Sequence, residues 1–113
     1  MKENDAMNDV LIAVPDADAM ADGDVRRLCS TAAGGPIALF RVEGDFHAIA
    51  DTCSHGQASL AEGWLEGFEI ECPVHSGRFD VRTGAPLAFP VTEPVRTFAV
   101  TRIDGILNVV VRG

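Results

Sequence analysis

Cys53-Ser54-His55 and Cys72-Pro73-Val74-His75 decide the reading of this chain. Two of its three cysteines and two of its three histidines fall in this one window. The pattern is C-x-H, sixteen residues, then C-x-x-H. Thiolate sulfur and imidazole nitrogen are the softer protein ligands, suited to iron–sulfur clusters, zinc and copper. Each half supplies one sulfur and one nitrogen, so the halves form matching claws. The window reads as a metal site, and the rest of the chain as the frame that holds it.

Outward from the claws, short apolar runs alternate with turn signals. Val10–Val14 ends at Pro15 and predicts a strand. Asp16–Asp24 is acidic and Ala-rich, a loop with room for one helical turn. Val25–Ser30 predicts a strand, and Gly34-Gly35-Pro36 a turn. Ile37–Val42 and Phe46–Ala50 are β-rich, joined by a short hairpin at Glu43-Gly44-Asp45. Phe46, Ala48 and Ala50 alternate with His47 and Ile49, which predicts one preferred face. Phe68–Glu71 leads as a strand into Cys72. Ala85–Pro94 carries three prolines and predicts a stiff, extended connection. Val95–Ile103 and Ile106–Val111 flank Asp104-Gly105, the strongest hairpin signal in the chain. No amphipathic helix is predicted. The fold class is all-β, an antiparallel β sandwich or small barrel, with the two claws on a subdomain inserted between strands.

The chain has 113 residues, enough for one domain with its own core. Residues 1–9 read as a flexible tail, 10–113 as a single domain, and about 51–90 as its cluster-binding subdomain. Met7 offers a second possible start. Hydrophobic residues make up 47%, a globular rather than disordered composition. No long apolar run predicts a membrane span, and the acidic N-terminus is unlike a signal peptide. Both point to the cytoplasm, where thiols stay reduced and clustered cysteines bind metal. The net charge of −8 disfavours nucleic acid. By itself it argues mainly for solubility, and beyond that for steering towards basic partners.

Three metals compete for the claws. Structural zinc accepts Cys₂His₂, but its common spacings pair Cys with Cys and His with His, often on a helix. A mononuclear catalytic metal needs an open position and a nearby base, and no further cluster of His, Asp or Glu presents itself. A Rieske-type [2Fe–2S] cluster has two histidines in place of two thiolates on one iron. One Cys and one His from each of two loops satisfy that arrangement, and it accounts for the spacing best.

Cys53-Ser54-His55-Gly56 and Cys72-Pro73-Val74-His75-Ser76-Gly77-Arg78-Phe79-Asp80 resemble the paired Rieske boxes. Trp64-Leu65-Glu66-Gly67, Phe79-Asp80-Val81-Arg82-Thr83-Gly84 and Pro90-Val91-Thr92 extend the resemblance. Together they are most similar to the ferredoxin component of bacterial multicomponent aromatic-ring-hydroxylating dioxygenases. The resemblance runs from about Ile37 to Val111. It implies a Rieske fold in which Cys53 and Cys72 bind the inner iron and His55 and His75 the outer one. It implies an exposed histidine tip as the electron port, and a proline loop, Ala85–Pro90, covering the cluster. It also implies an electron carrier, not an enzyme in its own right. Electrons would come from an NAD(P)H-dependent flavoprotein ferredoxin reductase and go to a terminal oxygenase. Both contacts would be transient, and the carrier monomeric. The alternative is a small Rieske subunit of a nitrite-reductase-like enzyme. A terminal oxygenase subunit would need a mononuclear-iron domain for which this length leaves no room.

Departures from the respiratory-chain members of the family are informative. Their extra cysteine pair falls on Ala58 and Val74 here, and their hydroxyl residues on Gly77 and Phe79. With fewer hydrogen bonds to sulfur, the implied potential lies at the low end of the Rieske range, about −150 mV. Elsewhere, Cys29 reads as a buried reduced thiol and His47 as an ordinary strand histidine. Trp64 reads as packing against the first claw. Arg78, Asp80 and Arg82 fit a loop brace and solvated charges equally well.

Overall fold

A computed structural model describes residues 9–54, 58–74, 76–89 and 91–112. Among the described residues ten strands follow one another: β1 (Val10–Val14), β2 (Val25–Leu28), β3 (Ile37–Val42), β4 (Asp45–Ala50), β5 (Trp64–Glu66), β6 (Glu69–Glu71), β7 (Arg78–Asp80), β8 (Pro86–Ala88), β9 (Thr97–Ile103) and β10 (Ile106–Val111). Helical structure among the described residues is two single 3₁₀ turns, Ala17–Ala19 and Leu60–Glu62. The first is the helical turn that the Ala-rich loop predicted.

The strands form two antiparallel sheets. One has the order β1-β10-β9-β4-β3-β2, and the other β5-β6-β7-β8. The four-stranded sheet is inserted in sequence between β4 and β9, as the position of the claws between strands implied. β4 and β9 share only the pairs Ala48↔Phe98 and Ile49↔Thr97, so the larger sheet is joined at its middle by a short seam.

β3 shows why the core divides in two. Its run Ile37-Ala38-Leu39-Phe40 is buried at every position. Continuous apolar strands of this kind have both faces covered. Ile37 and Leu39 pack with Val14, Phe98, Leu107 and Val109 in one cluster. Ala38, Phe40 and Val42 pack with Leu60, Ile70, Phe79 and Val91 in the other. β4 divides likewise, with Phe46 and Ala48 in the first cluster and Ile49 in the second. The single preferred face expected for β4 is therefore corrected. The alternation holds, but the inserted sheet covers the second face as well.

Several boundaries also move. The hairpin after β3 turns on Glu43 and Gly44 alone, at φ 53° and 86°, with Asp45 already paired to Val42. β2 stops at Leu28, β6 starts at Glu69 and β9 starts at Thr97. Trp64–Glu66 is a strand that the pattern did not mark. Within the stretch expected to be only an extended connection, Pro86–Ala88 pairs with β7 across a register shift. Proline has no N–H for a ladder, so it is tolerated in an edge strand of this kind.

Candidate metal centre

The two claws are loops of one design. Thr52 bridges Ser59, and six residues, Cys53 to Ala58, lie between them. Glu71 pairs with Arg78, and six residues, Cys72 to Gly77, lie between those. In each loop the cysteine N–H donates to the carbonyl of the sixth residue. Cys53 N reaches Ala58 O at 3.0 Å, and Cys72 N reaches Gly77 O at 2.7 Å. A bond of this type pins the cysteine at the base of its loop. Ser76 takes φ 61° in the second loop, and its N–H donates to Cys72 O at 3.1 Å. A left-handed serine costs about 1–2 kcal/mol. Such strain is held only where the surroundings demand it.

Cys53 is 3% exposed and Cys72 2%, and both belong to the same buried cluster with Leu60, Phe79 and Val91. The other two expected ligands, His55 and His75, lie outside the described residues. Two buried thiols at the bases of matched loops fit a bridging sulfur-rich group. Each could supply a sulfur ligand from surroundings that exclude water. Gly77 supports the fit. A Cβ there would meet Val91 Cγ1 at 2.5 Å, so the loop backbone lies directly against the covering segment.

That covering segment was expected at Ala85–Pro90. Its contacts with the claws come slightly later in the chain. Val91 packs on Gly77, and Ser54 Oγ donates to Glu93 O at 2.7 Å. Pro90 lies outside the described residues. Residues 91–93 thus touch both claws. On the outside, Val74, Leu87 and Phe89 are exposed, Phe89 by 86%.

Charge around the second claw is paired. Arg78 donates to Glu66 at 2.8 Å, to Glu71 at 2.8 Å and to Glu69 at 3.3 Å, tying β5, β6 and β7 together. Donating to these three carboxylates pushes the Arg78 pKa further up. Arg82 donates twice to Asp80, and that guanidinium holds the Asp80 carboxyl below its usual range. Of the two readings left open for these residues, the brace is the one observed.

Two expectations are overturned. Cys29 is exposed, because it lies just past the end of β2 where the chain leaves the sheet. Trp64 is 63% exposed, because β5 is the edge strand of its sheet and turns this side chain outward. His47 lies in β4 as expected, edge-on to Phe68 with ring centroids 5.8 Å apart. The residue that sequence reasoning missed is Asp51. It is buried two positions before Cys53 and accepts hydrogen bonds from Arg27, Ser59 and Ala61. An acid between the end of a strand and the first claw was the available signal.

Comparison with known proteins agrees with this geometry. The Rieske [2Fe-2S] domain family matches residues 11–99. The naphthalene 1,2-dioxygenase system ferredoxin component of Pseudomonas aeruginosa is 49% identical over 84 residues, 74% of this chain and 78% of that protein. Ferredoxin CarAc of Metapseudomonas resinovorans is 44% identical over 99 residues, 88% of this chain and 92% of that protein. Among solved structures, the complex of reduced oxygenase and oxidized ferredoxin in carbazole 1,9a-dioxygenase contains a chain that superposes with TM-score 0.80 at 40% identity. The match covers 90% of this chain and 92% of that one. With its matched loops and buried cysteine pair, the chain belongs to the Rieske [2Fe-2S] domain family, and its cofactor is a Rieske-type [2Fe-2S] cluster.

Proposed function

We propose that this protein is a one-electron carrier of an aromatic-ring dioxygenase system. An NAD(P)H-dependent flavoprotein reductase loads it, and a terminal oxygenase unloads it. The observation that carries the reading is the pair of six-residue loops, each with a buried cysteine at its base. In this reading Cys53 and Cys72 hold one iron and His55 and His75 the other. The bound cluster takes up and releases a single electron. The protein's own part is to keep water from the thiolates with Leu60, Phe79 and Val91, and to present the histidine tip to partners. The relatives named as dioxygenase ferredoxins support the choice of system, and the carbazole dioxygenase complex supports an oxygenase as acceptor.

Val74, Leu87 and Phe89 offer an apolar contact next to the claws. Electron-transfer contacts of this kind are small, below about 1,200 Å² in total, and short-lived. The carrier works as a monomer in the cytoplasm and performs no substrate chemistry.

The test has two stages. The purified protein, reduced with dithionite, is expected to hold about two irons and two sulfides with an average g of about 1.9. Replacement of Cys72 by Ser or His75 by Ala is expected to abolish that signal. A colourless zinc protein would overturn the reading. The reduced protein is then mixed with a terminal dioxygenase, which is expected to re-oxidise it. Oxidation by a sirohaem nitrite reductase alone would replace the reading with the reductase-subunit alternative.

A further inference from the structure

Asp51 is 1% exposed, at the base of the first claw. A carboxylate is buried at tolerable cost only when it is paired and hydrogen-bonded. Here both oxygens are used. Oδ2 accepts from Ser59 Oγ at 2.6 Å and from Arg27 Nε at 3.1 Å, and Oδ1 accepts from the Ala61 N–H at 2.8 Å. The backbone of Asp51 joins in. Its N–H donates to Pro36 O at 3.0 Å, and its carbonyl accepts from Leu60 N at 2.7 Å.

These bonds enclose the first ligand loop. Asp51 stands just before Cys53, while Ser59, Leu60 and Ala61 follow Ala58. The loop ends are thereby clamped to each other, and through Arg27 to β2. An apolar residue would fill a core position of this kind at lower cost than a charge.

The pair with Arg27 is lopsided. Arg27 is 51% exposed, whereas Asp51 is buried. Water screens the outer charge more than the inner one. Two residues of chain span at most about 7 Å, so the Asp51 backbone lies within that reach of Cys53. The less screened charge is negative, and it opposes the arrival of an electron.

We infer that Asp51 is the positioning residue of the first ligand loop, and that its buried charge, offset from the surface by Arg27, biases the cluster against reduction. The inference rests on the proposed attachment of the cluster through Cys53.

The experiment compares the cluster-loaded wild type with Asp51→Asn, Arg27→Gln and Ser59→Ala at one pH and ionic strength. It reads the reduction potential, the EPR spectrum and the half-life of the visible absorbance under an iron chelator. Asp51→Asn removes the inner charge and is expected to raise the potential. Arg27→Gln removes the compensating charge and is expected to lower it. Ser59→Ala removes a hydrogen bond but no charge. It is expected to shorten the half-life about fivefold, the factor for one lost hydrogen bond, with little change in potential. If Asp51→Asn does not fold, Arg27→Gln and Ser59→Ala decide. Wild-type potential in the charge variants, or shifts in the same direction, would overturn the electrostatic part. A wild-type half-life in Ser59→Ala would overturn the positioning part. A wild type without a two-iron cluster would instead overturn the functional reading beneath it.

Discussion

Gly77 closes the Cys72 loop with a hydrogen where any other side chain would strike Val91. Neither it nor the fully buried Phe79 can donate a side-chain hydrogen bond to sulfur. We therefore expect a reduction potential of about −150 mV, at the low end of the Rieske range. Voltammetry checks this, and a value well above zero refutes it. The close contact also dictates how a hydroxyl must be introduced. Gly77→Ser alone overpacks the covering segment and is expected to cost about 1–3 kcal/mol. Combined with Val91→Ala it should fold and raise the potential. His47 supports a prediction about pH. Burial holds its imidazole below the usual value, and Arg82 adds to this while Asp45 and Asp80 partly oppose it. Nε2 has no hydrogen-bond partner among the described residues. The unfolded chain then binds the proton more readily than the folded one. The stability that His47 contributes is full above about pH 6.5 and is lost as pH falls towards the lower folded value. Urea unfolding between pH 7.5 and 5.5 should show a smaller acid loss in His47→Gln than in wild type. The difference is at most about 1.4 kcal/mol per pH unit.

The turns between strands separate two uses of glycine. Asp104-Gly105 and Glu43-Gly44 have φ of 53° and 81°, and of 53° and 86°. Two consecutive positive values define the turn that matches the twist of a two-residue hairpin. A Cβ at Gly105 would meet nothing within 4 Å, so Gly105→Ala has only the backbone cost of about 1–2 kcal/mol. Gly63 has an ordinary φ, but its Cβ would lie 1.9 Å from Glu71 O. Gly63→Ala must push apart the start of β5 and the end of β6, next to Cys72. It is expected to cost several times more than Gly105→Ala and to shorten the cluster's lifetime. Chemical denaturation of both variants, with absorbance followed alongside, tests the contrast.

The whole molecule carries a net charge of −8 but keeps an apolar rim beside its ligand loops. Long-range charge raises the rate of encounter, and a rim of this kind decides how long partners stay. Raising salt from low to physiological strength should slow electron transfer to a basic partner surface, because the Debye length shrinks to about 8 Å. Phe89→Ser should weaken docking to the oxygenase at every salt concentration while leaving potential and stability unchanged. Its side chain is almost wholly in solvent, so the fold gains little from it. Stopped-flow oxidation of the reduced protein separates the two effects. A rate insensitive to both salt and Phe89→Ser would move the docking surface elsewhere.

Much was legible before any coordinates. The all-β class, the Asp104-Gly105 hairpin, the presence of a turn after Val42 and the cluster type follow from local rules of spacing, alternation and turn chemistry. These act over a few residues and are written directly in the chain. What stayed hidden depends on neighbours distant in sequence. Ile49 is buried because an inserted sheet covers the second face of β4. Trp64 is exposed because its strand is an edge. Asp51 is buried with its charge paired because Arg27, 24 residues earlier, donates to it at 3.1 Å. Cys53 and Cys72 suggested a metal by their chemistry alone. That their loops have equal length and the same closing hydrogen bond emerged only from the pairing of the chain on either side, a Thr52–Ser59 bridge for one and the β6–β7 ladder for the other, because that pairing sets where each loop begins and ends.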